Sequence, residues 1–144
     1  METWPVEDIP DPDDLYYRVS VGWLQADLRV HPGLFKENKG SMSTDWSKYS
    51  TAALTRGRQG RPEKYAVIKM VAGRVREIDE LTVIHSPVQG VEGIEDNQAH
   101  ADIFGLLPKE TDRPDPARLV RLRTALYQRF NTWEIAPNAP VETS

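Results

Sequence analysis

The chain contains no cysteine. That absence excludes disulfides, thiolate nucleophiles and cysteine-ligated zinc. Long apolar runs are missing too: nothing approaches the roughly 20 residues a bilayer-spanning helix requires. The first fourteen residues lack any basic side chain and carry six acids (Glu2, Glu7, Asp8, Asp11, Asp13, Asp14), the reverse of a secretory leader. These gaps predict a cytoplasmic protein with no membrane partner. Histidine is scarce as well, with three in 144 residues (His31, His85, His100).

What is present fits one folded unit. A length of 144 residues, with 39% hydrophobic and 28% charged side chains, matches a single domain able to bury a core. The formal net charge of -4 argues against broad attraction to nucleic acid or anionic lipid. Charge is unevenly spread, however. Residues 54–76 hold seven bases (Arg56, Arg58, Arg61, Lys64, Lys69, Arg74, Arg76) against Glu63 alone, a candidate basic patch beside the acidic start.

Three segments follow from composition: an acidic, proline-rich arm over 1–14, a globular domain over 15–135, and a polar tail over 136–144. Within the domain, Leu15, Tyr17 and Val19 alternate with Tyr16, Arg18 and Ser20, which predicts a half-buried strand over 15–24. Ser43 or Thr44 as a cap, followed by Asp45, Trp46, Tyr49 and Ala53, predicts a short helix over 45–55 closed by Gly57. Residues 65–71 read as a buried strand leading into a helical turn at 73–78. Further short strands are expected at 81–85 and 99–104. Asp115 as N-cap and Pro116 at the first helical position start a helix whose stripe is Leu119, Leu122, Leu126, Phe130 and Trp133. The fold class expected is therefore α+β: three to five short strands in a mixed or antiparallel sheet, with the 115–133 helix on one face.

The two histidines His85 and His100 sit on consecutive predicted strands joined by a short acidic loop. If those strands are neighbours, the imidazoles can converge on one solvent-open surface, with Asn97 and Asp102 close enough to orient them. Such a pair can transfer protons or hold an anion; the competing reading is that each ring simply bonds a backbone carbonyl. No metal is expected, because a third ligand and an HExxH-like spacing are missing, and no cofactor motif is present. Arg18, Ser43 and Tyr49 form a second group in which hydroxyls and a helix start can receive a phosphate. Arg56, Arg58 and Arg61 form a third, able to contact phosphates, though few aromatics accompany them to stack bases.

An arginine on an early strand, the Ser43–Thr44 step and Tyr49 on a short helix resemble the layout of small ADP-ribosyltransferase folds over residues 18–51. That resemblance implies a nucleotide-like substrate contacted by Arg18, Ser43 and Tyr49. No late catalytic glutamate or histidine of such enzymes is placed. With no complete catalytic set in view, the leading expectation is an accessory or binding domain for a partner protein or small anionic ligand. A small transferase or hydrolase using His85 or His100 as acid or base is the alternative, and nucleic-acid contact through the basic loop ranks third.

Overall fold

A computed structural model describes residues 2–37, 40–106 and 115–141. Five strands build one antiparallel sheet: β1 (Asp14–Ser20), β2 (Met42–Trp46), β3 (Tyr65–Val71), β4 (Thr82–His85) and β5 (His100–Phe104), in the order β3-β1-β2-β5-β4. Among the described residues three α-helices accompany them: α1 (Ala52–Arg56), α2 (Ala72–Arg76) and α3 (Pro116–Arg129). The α+β class expected from patterning is the class observed. Among the described residues no helix is long and apolar enough to cross a membrane.

The period of two decides which side chain faces where. In register, Leu15 pairs with both Trp46 and Met70, Tyr17 with Ile68, Met42 with Ile103, and Val83 with Ile103. These residues form one apolar face and are buried. Helix α3 adds Leu122 and Leu126 to that core, and Arg123 Nε donates to the Phe35 carbonyl at 2.9 Å. The helix starts as expected, with Asp115 accepting from the Arg118 N–H at 3.1 Å and Pro116 at the first position. It ends at Arg129, short of Trp133, whose indole N–H instead reaches the Leu28 carbonyl at 3.0 Å.

Two local expectations need correction. Residues 42–46 are strand, and the helix expected over 45–55 is only Ala52–Arg56, capped by Thr51, whose hydroxyl accepts from the Leu54 N–H at 3.2 Å. Ser43 and Thr44 therefore cap nothing. A central strand paired on both sides gains two ladders, which outweighs a local capping preference. The first strand also stops at Ser20, not 24, because the Ser20 hydroxyl accepts from the Gly22 N–H at 3.2 Å and begins a 3-10 turn.

Residues 2–13 form no regular element, as Pro5, Pro10 and Pro12 require, yet they run against the domain. Ile9 is buried with the core, and Arg76 Nη1 donates to the Ile9 carbonyl at 2.6 Å and to Asp11 at 2.8 Å. Trp46 Nε1 donates to Asp13 at 2.9 Å. Gly73 makes the close approach feasible: a Cβ there would lie 2.7 Å from the Asp11 Cβ. Further along, the Glu7 carboxylate accepts from Lys48 and from the Tyr49 hydroxyl.

Those two donors, Lys48 first, hold the Glu7 carboxyl below the ordinary carboxylate range. Folded and depressed, the group stabilises the fold above the usual carboxylate pKa, and that contribution is lost as pH falls through the depressed value. Glu7→Gln is expected to be less stable than the native chain at neutral pH, and the difference should vanish on acidification below the ordinary Glu range. Thermal melts across that range check the sign; a gap that widens towards acid contradicts it.

Candidate functional site

The ladder between β1 and β2 has only two rungs, Leu15–Trp46 and Tyr16–Asp45. Beyond them β1 continues along β3 to Ser20, while β2 continues along β5 to Met42. The sheet forks there, and a cleft of about 1080 Å³ opens on the polar side of the fork. Strand side chains that line it include Tyr16 and Arg18 of β1, Ser43 and Asp45 of β2, and His100 of β5. Loops close the sides: Arg58 and Gln59 after α1, Val88, Ile94 and Asn97 between β4 and β5, and Trp23 with Lys36 after β1.

Asp45 organises this space. It is only 4% exposed, and a lone buried carboxylate would be costly. Oδ2 accepts from the Thr55 hydroxyl at 2.8 Å and from Arg58 Nε at 2.5 Å, while Oδ1 accepts from the Asn97 amide at 2.8 Å. Asn97 is itself fixed, since it exchanges backbone hydrogen bonds with Val88 at 2.8 and 2.9 Å and accepts from the Ala99 N–H at 3.0 Å. One carboxylate thus ties two loops of opposite walls to the central strand.

Arg18 is held by a different set. Its guanidinium lies 4.0 Å over the Tyr65 ring, Nη1 donates to the Arg58 carbonyl at 2.7 Å, and Nη2 reaches Gln59 Oε1 at 3.4 Å. Arg18 and Arg58 are therefore neighbours in the same wall. Each uses some of its five N–H donors on the protein, and no protein acceptor is found among the described residues for Arg58 Nη1 and Nη2. Lys36 adds a third cation, with its ammonium 4.8 Å over Trp23.

The two histidines part company. His85 pairs with Ala101, so His100, one residue off, faces the other side of the sheet. The expected shared surface does not form. His85 is 1% exposed, its Nδ1 accepts from the Glu7 N–H at 3.0 Å, and its Nε2 donates to the Gln98 carbonyl at 2.7 Å. Both nitrogens are committed to main chain, which fixes a neutral ring protonated at Nε2. His100 lines the cleft instead. Its Nδ1 lies 3.0 Å from both the carbonyl and the hydroxyl of Ser86, and that hydroxyl donates to Asp102 at 2.7 Å. Nδ1 thus carries the proton, and Nε2, 3.9 Å from Asp102 Oδ1, lies beyond hydrogen-bond range of it.

The remaining candidates divide. Asp102, which also accepts from Ser41 at 2.7 Å, positions Ser86 beneath His100, whereas Asn97 serves Asp45 and not an imidazole. Tyr49 stands outside the cleft, edge-on to Trp46 at 5.5 Å and stacked at 6.1 Å from His85. Arg56 is 5% exposed and donates to the carbonyls of Tyr65, Ala139 and Pro140, so it ties chain segments together. Arg61 is exposed and does not line the cleft, so the three loop arginines do not form one grip. Of the group resembling the ADP-ribosyltransferase layout, Arg18 and Ser43 share the cleft and Tyr49 does not.

Tyr16, Lys36, Trp23 and Gln59 escaped the sequence reading, and Asp45 entered it only as the last residue of the 40–45 phosphate-receiving segment at a helix start. For Asp45 the available signal was Met42, Thr44 and Trp46 alternating around it. Comparison with protein-family models, curated proteins and solved structures finds no match for this chain.

Removing the central charge should loosen both loops. Asp45→Asn replaces an acceptor by an amide donor against Arg58, and is expected to cost about 3 kcal/mol, the scale of a broken buried pair. Asp45→Ala should cost a similar amount. Urea unfolding checks both; a loss below about 1 kcal/mol would show that Asp45 does not organise the loops.

Proposed function

We propose that this chain is a binding domain for a small anionic ligand, seated in the fork between β1 and β2. The observation that carries this reading is that two arginines line the cleft with their guanidinium groups already positioned, Arg18 held on Tyr65 and Arg58 held by Asp45. Holding the forks in place before a ligand arrives lowers the ordering cost of binding, and paired guanidinium donors suit phosphate or carboxylate oxygens. Trp23 and Tyr16 in the same cleft offer flat apolar surface to the rest of the ligand. The rim also holds Glu37 and Glu95, so recognition is a local two-arginine contact and not a broad positive field.

The test is calorimetry against a panel of phosphorylated and carboxylated small molecules, with Arg18→Gln beside the native chain. Expected is a hit whose affinity falls by about 10-fold or more in Arg18→Gln, the worth of a charge-assisted hydrogen bond. Absence of any binder, or a binder indifferent to Arg18, removes the reading.

A second reading, a small hydrolase or transferase, is favoured by one specific feature. His100 lines the cleft with Nδ1–H anchored on Ser86, which leaves Nε2 as its basic nitrogen, the tautomer a general base needs. Under this reading His100→Gln should keep ligand affinity and lose turnover by about 10²-fold or more. Under the binding reading no ligand of the panel is converted, and mass spectrometry of ligand incubated with native chain and with His100→Gln separates the two.

A further inference from the structure

We infer that residues 2–9 act as a strap that sets the order of the cleft walls, with His85 as the positioning residue that carries the coupling. As regulation of ligand binding, this rests on the cleft being the ligand site; as coupling within the protein, it does not.

The contacts form a continuous series. The Trp4 N–H donates to Gln89 Oε1 at 2.8 Å, and Gln89 Nε2 donates to the Glu2 carbonyl at 2.9 Å, so the strap grips the β4–β5 connector near its start. Near the connector's end, Glu7 bonds His85 Nδ1 and His85 Nε2 bonds the Gln98 carbonyl. The ring is therefore a rigid spacer between strap and connector, wedged edge-on against Trp46 at 5.0 Å. Gln98 follows Asn97, whose amide holds Asp45, and Asp45 holds Arg58. Strap and opposite cleft wall are joined through four side chains and one short stretch of backbone.

A second observation agrees. Behind the Arg58–Asn97 bridge lies a smaller hollow of about 660 Å³, lined by Trp4 and Tyr49 as well as by Arg58 and Asn97. Arg58, Gln59, Glu95 and Asn97 line both spaces, so they partition the cleft from the strap's seat. Movement of Trp4 alters what backs the partition. The outer part of the strap, ahead of Glu7 and the buried Ile9, is suited to open: it has no ladder hydrogen bonds, and Val6 is 68% exposed.

A spatial chain alone does not establish coupling; two perturbations and their combination do. Amide hydrogen exchange is measured on the full chain for residues 2–9, 88–98 and 57–60, with α3 as internal reference. Gln89→Ala cuts the grip at a half-buried site outside the core cluster. His85→Asn keeps an acceptor for the Glu7 N–H and gives up the bond to Gln98. Expected is faster exchange, by on the order of 10-fold, at 88–98 and 57–60 in both variants while α3 is unchanged, a change of about 1.4 kcal/mol in local opening. In Asn97→Ala, Gln89→Ala should no longer alter 57–60. The inference is overturned if 57–60 ignores Gln89→Ala, if that effect survives Asn97→Ala, or if α3 accelerates equally, which would mean loss of global stability only. No ligand enters this measurement, so failure of the anion-binding reading leaves its outcome intact, and the reverse holds.

Discussion

A carboxylate buried in the middle of a sheet is the constraint around which this protein is arranged. Asp45 has strand neighbours on both sides, Tyr16 on β1 and His100 on β5, and it is 4% exposed. Its desolvation has to be offset by hydrogen-bond donors, and the chain brings them from three separate places: Thr55 on α1, Arg58 beyond it, and Asn97 before β5. Satisfying one charge therefore forces two loops to converge over the polar face. Because the β1–β2 ladder parts directly after the Tyr16–Asp45 rung, those loops enclose a fork and not a flat sheet. The cleft is a consequence of where the carboxylate sits.

The opposite face has a different logic. There the alternating residues are apolar, α3 supplies Leu122 and Leu126, and the strand imidazole of His85 is made tolerable by spending both nitrogens on main chain. Two histidines fifteen positions apart thus do opposite things. One residue of register separates them: His85 shares a face with Ala101, and His100 is the next residue along. His85 is held at both nitrogens, while His100 lines the cleft.

Strand-forming segments rich in β-branched residues were legible from sequence, as at 65–71 and 82–85, because a buried strand needs little beyond them. The start of α3 was equally plain from Asp115 and Pro116. Residues 42–46 misled because Ser43, Thr44 and Asp45 resemble a cap, and only pairing with two distant strands shows otherwise. The histidine expectation failed on parity. Spacing along the chain brought the two segments together correctly, but the strand period sends adjacent residues to opposite faces, and only the register says which is which. Arg56 and Arg58 repeat the lesson at closer range, since the two are separated by Gly57 alone and one is sealed on carbonyls while the other walls the cleft.

The strap adds a dependence that composition conceals. An acidic, proline-rich segment reads as an extended arm; in the structure Ile9 is buried and Asp11, Asp13 and Glu7 each meet a donor on the domain. Its acids answer local donors, Arg76, Trp46, Lys48 and Tyr49, and not the basic loop at 56–61. The segment nevertheless connects to that loop indirectly: Trp4 lines a hollow that Arg58 also lines, and His85 links Glu7 to Gln98, beside the Asn97 that holds Asp45. Electrostatic attraction between opposite ends of the composition is thus replaced by short-range hydrogen bonds in series. The links through His85, Gln98 and Asn97 have a physical signature distinct from long-range attraction: they respond less to salt, because they are partly buried and 3.0 Å or shorter, and the series fails wherever one of them is cut.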